Sequence, residues 1–315
     1  MKSEFGSFRA IDLFAGIGGI RLGFEKVFHN KLSCVFSSEI DKFSIKTYFA
    51  NFNEIPDNDI TKINEVEIPA HDIILAGFPC QAFSLAGLRK GFNDIRGTLF
   101  FDIARIAQYH KPKVLFLENV KGLITHNKGN TFQIINETLS NLGYKVYHKI
   151  LNAKNFGVPQ NRERIYIICF LDHNIKFEFP DGLNVTIKVG DILEENVDIK
   201  YTISDRLWMG HQRRRLEHKI KGNGFGYSLF NNSSEYTSTL SARYYKDGSE
   251  ILIEQNSLNP RKITPREAAR LQGFPDNFNI VVSDVQAYKQ FGNSVSVPVI
   301  EAIAKNILKA LNNEI

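Results

Sequence analysis

Phe8-Arg9-Ala10-Ile11-Asp12-Leu13-Phe14-Ala15-Gly16-Ile17-Gly18-Gly19 carries an apolar run of strand length into a glycine turn. From about Ile20 to Phe28 apolar residues then return at helical spacing. The same alternation spreads outward from this unit. Leu32 to Ser37 reads as strand, Lys42 to Phe52 as helix, Asp72 to Ala76 as strand and Thr98 to Tyr109 as helix. Val114 to Leu117 is wholly apolar, the mark of a strand buried on both faces. Thr131 to Leu142 is helical, and Tyr144 to Leu151 with Arg164 to Phe170 read as a terminal antiparallel pair. Strands and helices in this order predict an α/β fold, a mostly parallel sheet covered on both sides.

After about Pro180 the pattern weakens, and Asn, Ser, Gly and Tyr become frequent. Short strands at Ser238–Ser241 and Glu250–Ile253 suggest a smaller second domain, mostly irregular β. Helical order returns at Thr264-Pro265-Arg266-Glu267, where Thr264 can cap the helix, Pro265 begins it and Glu267 completes a capping box. An amphipathic helix from Val297 to Leu311 is expected to pack back on the first domain. The expected division is 1–179 plus 293–315 for the first domain, 180–262 for the second and 263–292 for a hinge.

The chain has 315 residues, 43% apolar and 23% charged, as in ordinary globular proteins. No apolar run nears the ~20 residues of a bilayer-spanning helix, and the N-terminus lacks a signal-peptide pattern. Three scattered cysteines fit a reducing cytoplasm, and neither Cys nor His falls at metal-ligand spacing, so no metal is expected. The net charge of +5 has one source. Between Lys200 and Gly222 stand seven cations and two anions, which accounts for the whole excess. A solvated helical face is the plain explanation, and a polyanion partner the alternative.

Gly77-Phe78-Pro79-Cys80-Gln81 follows the apolar run Asp72–Ala76 directly. Cys34 and Cys169 lie inside apolar runs, as structural cysteines do, whereas Cys80 stands at a strand's carboxyl end, where open α/β sheets bind ligands. It is either a small hydrophobe in a turn or a nucleophile. Glycines 16, 18 and 19 let a ligand approach the backbone at the start of a helix. Glu39, about twenty residues on, can take both hydroxyls of a ribose. Together they suggest an adenosine-bearing cofactor, with a tight structural turn as the alternative. Glu118, ending the most apolar strand, is either a proton donor with a raised pKa or a structural acid. Alternation places Arg162 and Arg164 on one face, suited to an anion or a carbonyl oxygen, with a salt bridge to Glu118 or Asp102 as the competing use.

In this order the pieces resemble the cytosine-5 DNA methyltransferases, across nearly the whole chain. Asp12 to Gly19 is similar to the family's cofactor motif and Gly77 to Ser84 to its nucleophile motif. Arg96 to Phe100, Glu118-Asn119-Val120, Gln160 to Arg164, Arg266 to Pro275 and Gln290 to Ser294 follow in the family's order. The resemblance implies a Rossmann-like S-adenosylmethionine-dependent methyltransferase sheet with a smaller target-recognition domain. It implies that Cys80 adds to carbon 6 of a flipped-out cytosine, that Glu118 hydrogen-bonds N3, and that Arg164, with Arg162 nearby, contacts O2. Phe14 would stack on the adenine, Gly16, Ile17 and Gly19 would line the methionine portion, and Glu39 would hold the ribose. Asp59 and Ile60 would meet the adenine edge, Pro79 and Leu99 would line the same pocket, and Asn293 and Ser294 would meet the amino-acid end. Ile40 departs from the tryptophan common in relatives, which leaves one adenine face on an aliphatic chain.

Phe83 to Gly97 is similar to the family's mobile loop, with Ser84 placed to touch DNA. Lys221 to Tyr227 and Thr239 to Gly248 resemble the bacterial branch that methylates CCNGG- or CCWGG-type sites, making Arg243 a candidate guanine reader. The resemblance implies double-stranded DNA as partner, a restriction-modification or orphan modification role and a monomer. A tRNA cytosine methyltransferase is the nearest rival, and a nucleotide-dependent oxidoreductase on a similar sheet the rival of another class.

Overall fold

The computed structural model describes residues 8–57, 59–79, 99–183, 185–224 and 226–312. They form two compact units: residues 1–151, 163–181 and 299–315, and residues 152–162 and 182–298. The 30 residues expected to act as a hinge, 263–292, all fall in the second unit.

The first unit is built on a six-stranded sheet: β1 (Phe8–Leu13), β2 (Leu32–Ser38), β3 (Ile73–Gly77), β4 (Val114–Val120), β5 (Lys145–Asn152) and β6 (Glu163–Phe170), in the order β2-β1-β3-β4-β6-β5. β1 runs parallel to β2 and β3, β3 runs parallel to β4, and β6 enters antiparallel to β4. The order reverses at β1, whose neighbours lead off in opposite directions, so a crevice opens beyond its carboxyl end. The glycine turn sits there.

Period-two alternation divides the sheet's residues between two apolar layers. Ile11, Leu13, Ile74, Ala76, Leu115 and Leu117 share a core with α3 (Leu99–His110) and α4 (Asn130–Asn141) through Phe100, Ile103, Ala107, Ile135 and Leu139. On the other side Phe116 meets Phe24 of α1 (Gly19–Phe28) edge to face at 5.1 Å. α8 (Val297–Leu311) adds Ile300, Ile303, Ala304 and Ile307, all fully buried. At ~1.5–3 kcal/mol for each large aliphatic side chain, that helix is a main support of the layer. Gly23 is what admits it: a Cβ there would lie 2.6 Å from the Cβ of Ile300. From residue 299 onward the last helix belongs to the first unit.

The second unit has three strands of two residues each, β7 (Leu229–Phe230), β8 (Leu252–Ile253) and β9 (Arg261–Lys262). Ser238–Ser241 is not a strand. The N–H of Leu240 is taken by the buried side chain of Gln160, so no ladder forms there. The longest element of this unit is instead α5 (Asp205–Ile220), a helix almost polar all round that apolar spacing could not reveal. α6 (Pro265–Leu271) begins with the expected capping box of Thr264 and Glu267. α7 (Asp284–Asn293) ends close under another segment: a Cβ on Gly292 would lie 2.4 Å from the carbonyl carbon of Ser241.

Candidate active site

The turn after β1 needs unusual backbone. Phe14, Gly16 and Gly18 have φ of 55°, 57° and 80°, a region open to glycine and strained for phenylalanine. Gly18 is also sterically required, because a Cβ would strike the ring of Phe52 at 2.2 Å. α1 then starts without a side-chain cap, leaving the positive end of its dipole open to an anion. Glu39, just past β2, ties the turn to its neighbour. Its Oε2 accepts the Gly16 N–H at 2.7 Å, and its Oε1 accepts the N–H groups of Ile40 and Asp41 at 2.8 Å.

Asp59 accepts from the hydroxyl and N–H of Thr61, and the hydroxyl bond above all holds its carboxyl below the usual range. Beside it Ile60 is buried, and its carbonyl accepts from Arg105 at 2.6 Å. Ile17 and Gly19 are buried, Phe14 and Leu99 are half-buried, and Pro79 is exposed. Ile40 is 71% exposed, a large aliphatic side chain with little protein around it. This donor set fits S-adenosylmethionine: an uncapped helix start for its carboxylate, Glu39 for its ribose, Phe14 for its adenine.

A buried polar network supports the turn from below, and sequence reasoning missed it. Asp12, the penultimate residue of β1, is 1% exposed and accepts from the Tyr48 hydroxyl at 3.2 Å. Arg21 of α1 donates to Tyr48, forms a bidentate pair with Glu54 and lies 4.4 Å over the Phe52 ring. The only sequence signal was a carboxylate and an arginine at positions where apolar neighbours would be buried. Burial pushes the Asp12 carboxyl up to about 8, against the lowering pull of Arg21 and Tyr48.

Because the folded pKa lies above the unfolded one, the contribution of Asp12 to stability is complete below about pH 4 and drains as pH rises through about 8. Asp12→Asn should remove this dependence. Thermal unfolding followed from pH 5 to 8 should show wild type losing about 1 kcal/mol per pH unit more than the variant. Parallel curves would show that Asp12 stays ionised.

Across the sheet, Glu118 occupies the register position opposite Gly77 on β3 and Tyr166 on β6. It is buried, and its Oε1 lies 3.2 Å from Nε of Arg164, whose Nη1 donates to the carbonyl of Glu163. The expected salt bridge therefore runs to Glu118, while Asp102 is taken by Arg105. Asn119, which sequence reasoning quoted but gave no task, donates from Nδ2 to the Phe78 carbonyl at 2.8 Å. That bond fixes the exit of β3 two residues before Cys80. Cys80 itself and Ser84 lie outside the described residues.

Arg162 precedes β6, belongs to the second unit and is 2% exposed. Its guanidinium donates to the carbonyls of Leu240, Gly292 and Ser294. The Arg162 N–H goes to the Asn152 side chain, one residue before β6 begins. Asn293, exposed, and Ser294, half-buried, are also in the second unit. Arg243 is exposed on a turn whose N–H bonds the Ser241 hydroxyl. Among the described residues no cluster of side chains could hold a metal ion, and no helix is long and apolar enough to cross a membrane.

The sequence matches the family described as C-5 cytosine-specific DNA methylase over residues 8–309. The type II methyltransferase M.SsoII of Shigella sonnei is 62% identical, over 99% of this chain and 83% of that one. M.NlaX of Neisseria lactamica, also a type II methyltransferase, is 62% identical over 97% of both chains. Among solved structures, the Dnmt2 methyltransferase of S. pombe superposes with a TM-score of 0.80 at 19% identity, covering 97% of this chain and 99% of that one, a likeness of fold. These matches favour DNA over the tRNA alternative, and an oxidoreductase is set aside. With a glycine turn, a buried carboxylate–arginine pair and the family's sequence along almost its whole length, this chain belongs to the C-5 cytosine-specific DNA methylases.

Proposed function

We propose that this enzyme methylates carbon 5 of one cytosine within a specific duplex sequence, with Cys80 as nucleophile and Glu118 as the acid that activates the ring. The observation that carries the reading is the convergence at the carboxyl ends of β3 and β4. Glu118 and Arg164 form a buried pair there, and Asn119 anchors the backbone that leads into Pro79-Cys80. When bound, S-adenosylmethionine supplies an electrophilic methyl group. Carbon 5 of cytosine is a weak nucleophile toward it, and the residues act on that weakness.

The Cys80 thiolate adds to carbon 6, which raises electron density at carbon 5. Glu118, protonated, donates to N3 and stabilises the negative charge that addition sends into the ring. Arg164 holds the Glu118 carboxyl in place and offers its remaining N–H groups to O2. After methylation a base removes the carbon 5 proton and the Cys80 thiolate is expelled. A base inside a duplex stack is out of reach, so the cytosine is flipped out. Phe14, Gly16, Ile17, Gly19, Glu39, Asp59, Ile60, Pro79 and Leu99 serve the cofactor, and the exposed Ile40 covers one adenine face.

Sequence choice falls to the second unit, with Arg243 as a guanine reader and a CCNGG- or CCWGG-type site as target. The type II relatives support a role in a restriction-modification system, with the enzyme acting in the cytoplasm as a monomer. The test is a duplex carrying 5-fluorocytosine at candidate sites, incubated with protein and cofactor. Fluorine cannot leave as a proton, so a covalent complex through Cys80 should survive denaturing gels. No adduct in any cytosine context, with cofactor binding verified, would sink the mechanism.

A further inference from the structure

Arg21 is the third residue of α1, where a cation opposes the helix dipole. It is nevertheless 6% exposed and tightly held. Glu54 takes its guanidinium through two hydrogen bonds, Glu25 takes Nε at 2.6 Å, and Nη1 donates to the Tyr48 hydroxyl at 3.0 Å. The flat face of the group has a further task. Its central carbon lies 4.4 Å from the middle of the Phe52 ring and 5.6 Å from that of Tyr48.

Phe52 ends α2 (Lys42–Phe52), and its ring lies 4.6 Å from the Tyr48 ring between centroids. The Phe52 ring also closes on Gly18, where a Cβ would stand 2.2 Å from its Cε2 and 2.6 Å from its Cζ. Gly18 is the N-cap position of α1, and its N–H bonds the Ala15 carbonyl across the turn at 2.8 Å. At the other end Tyr48 donates to Asp12, two residues before the strained Phe14. The contacts run in one line from Asp12 through Tyr48, Arg21 and Phe52 to Gly18, and so grip the glycine turn on both sides. Strained backbone of this kind persists only where its surroundings fix it.

We propose that Arg21, Tyr48 and Phe52 are positioning residues for the cofactor, a buried strut that clamps the turn between Asp12 and Gly18 and aims the first N–H groups of α1 at the cofactor's carboxylate. The inference deepens the reading of this turn as the S-adenosylmethionine site and rests on it. None of the three residues has to touch the cofactor. They act by fixing the backbone that does, because a helix start holds an anion well only when its N–H groups converge on one place.

The test uses the full chain and two ligands, each measured by titration calorimetry. One is S-adenosylmethionine; the other is its decarboxylated analogue, which keeps the adenosine, sulfonium and amine but has no carboxylate. Arg21→Met keeps the apolar stem and removes the guanidinium. Phe52→Leu keeps the charge and removes the ring, which separates the strut from a plain effect of charge. Both variants should bind S-adenosylmethionine about tenfold more weakly, within the range a helix start contributes to an anion. Their affinity for the analogue should stay within about twofold of wild type, which also reports intact folding. Arg21→Lys, with a cation still near the ring, should recover part of the loss. Methyl transfer at saturating cofactor should stay within about threefold, so that the defect appears in KM and not in kcat. Phe52→Leu decides the matter alone if Arg21→Met does not fold. Unchanged affinity for S-adenosylmethionine overturns the proposal. An equal loss for both ligands also overturns it, reducing the network to general support of the pocket. A wild type that binds neither ligand refutes the cofactor reading itself, and the inference falls with it.

Discussion

Cys80→Ser is expected to leave a protein that binds cofactor and duplex DNA yet forms no methylated cytosine. A serine hydroxyl has a pKa far above that of a thiol, so almost none is ionised at neutral pH, and it adds poorly to a neutral ring. Without addition at carbon 6, carbon 5 stays unreactive, and the loss should be on the order of 10⁴-fold or more in turnover. Glu118 and Arg164 pair with each other at 3.2 Å, so their geometry should persist in the variant. Three measurements belong together: methyl transfer from labelled cofactor, trapping on a 5-fluorocytosine duplex, and binding of each substrate alone. Transfer and trapping should vanish together while both binding constants stay near wild type. Turnover within tenfold of wild type, or a trapped complex from the serine variant, would move the nucleophile to another residue.

The first unit was legible because its central strands β1, β3 and β4 are buried on both faces and so had to be written in apolar residues. Val114 to Leu117 is fully buried, and the end of that strand located Glu118 without any contact information. The glycine turn was legible for a related reason: positive φ at Gly16 and Gly18 leaves few other residues usable there. The Asp12–Tyr48–Arg21 network was hidden because its members lie on three different elements, up to 36 residues apart, and each alone reads as an ordinary surface residue. The second unit resisted reading because side chains satisfy much of its backbone. Gln160 accepts from Leu240 and donates to Leu271, and Arg162 caps three carbonyls, bonds that no local pattern announces. Helix α5 offers almost no buried face, so it showed only as a run of charge that read as a solvated helical face.

Glu118→Gln should produce the second largest loss, and its form distinguishes chemistry from support. A buried carboxyl beside Arg164 has two tasks in the proposed reaction: to hold the guanidinium and to present a proton at N3. Glutamine keeps the size and a hydrogen-bond donor but cannot supply a mobile proton, and it leaves the Arg164 charge without its counter-ion. The single-turnover rate should fall about 10²- to 10³-fold, the range for removal of one acid or one preorganised donor. Binding of S-adenosylmethionine should hardly change, because the turn after β1 is held by Glu39 through the Gly16 N–H. Glu118→Ala should be slower still, since it removes the donor as well. A glutamine variant with a rate within threefold of wild type would reduce Glu118 to a partner for Arg164. The proton at N3 would then have to come from another group.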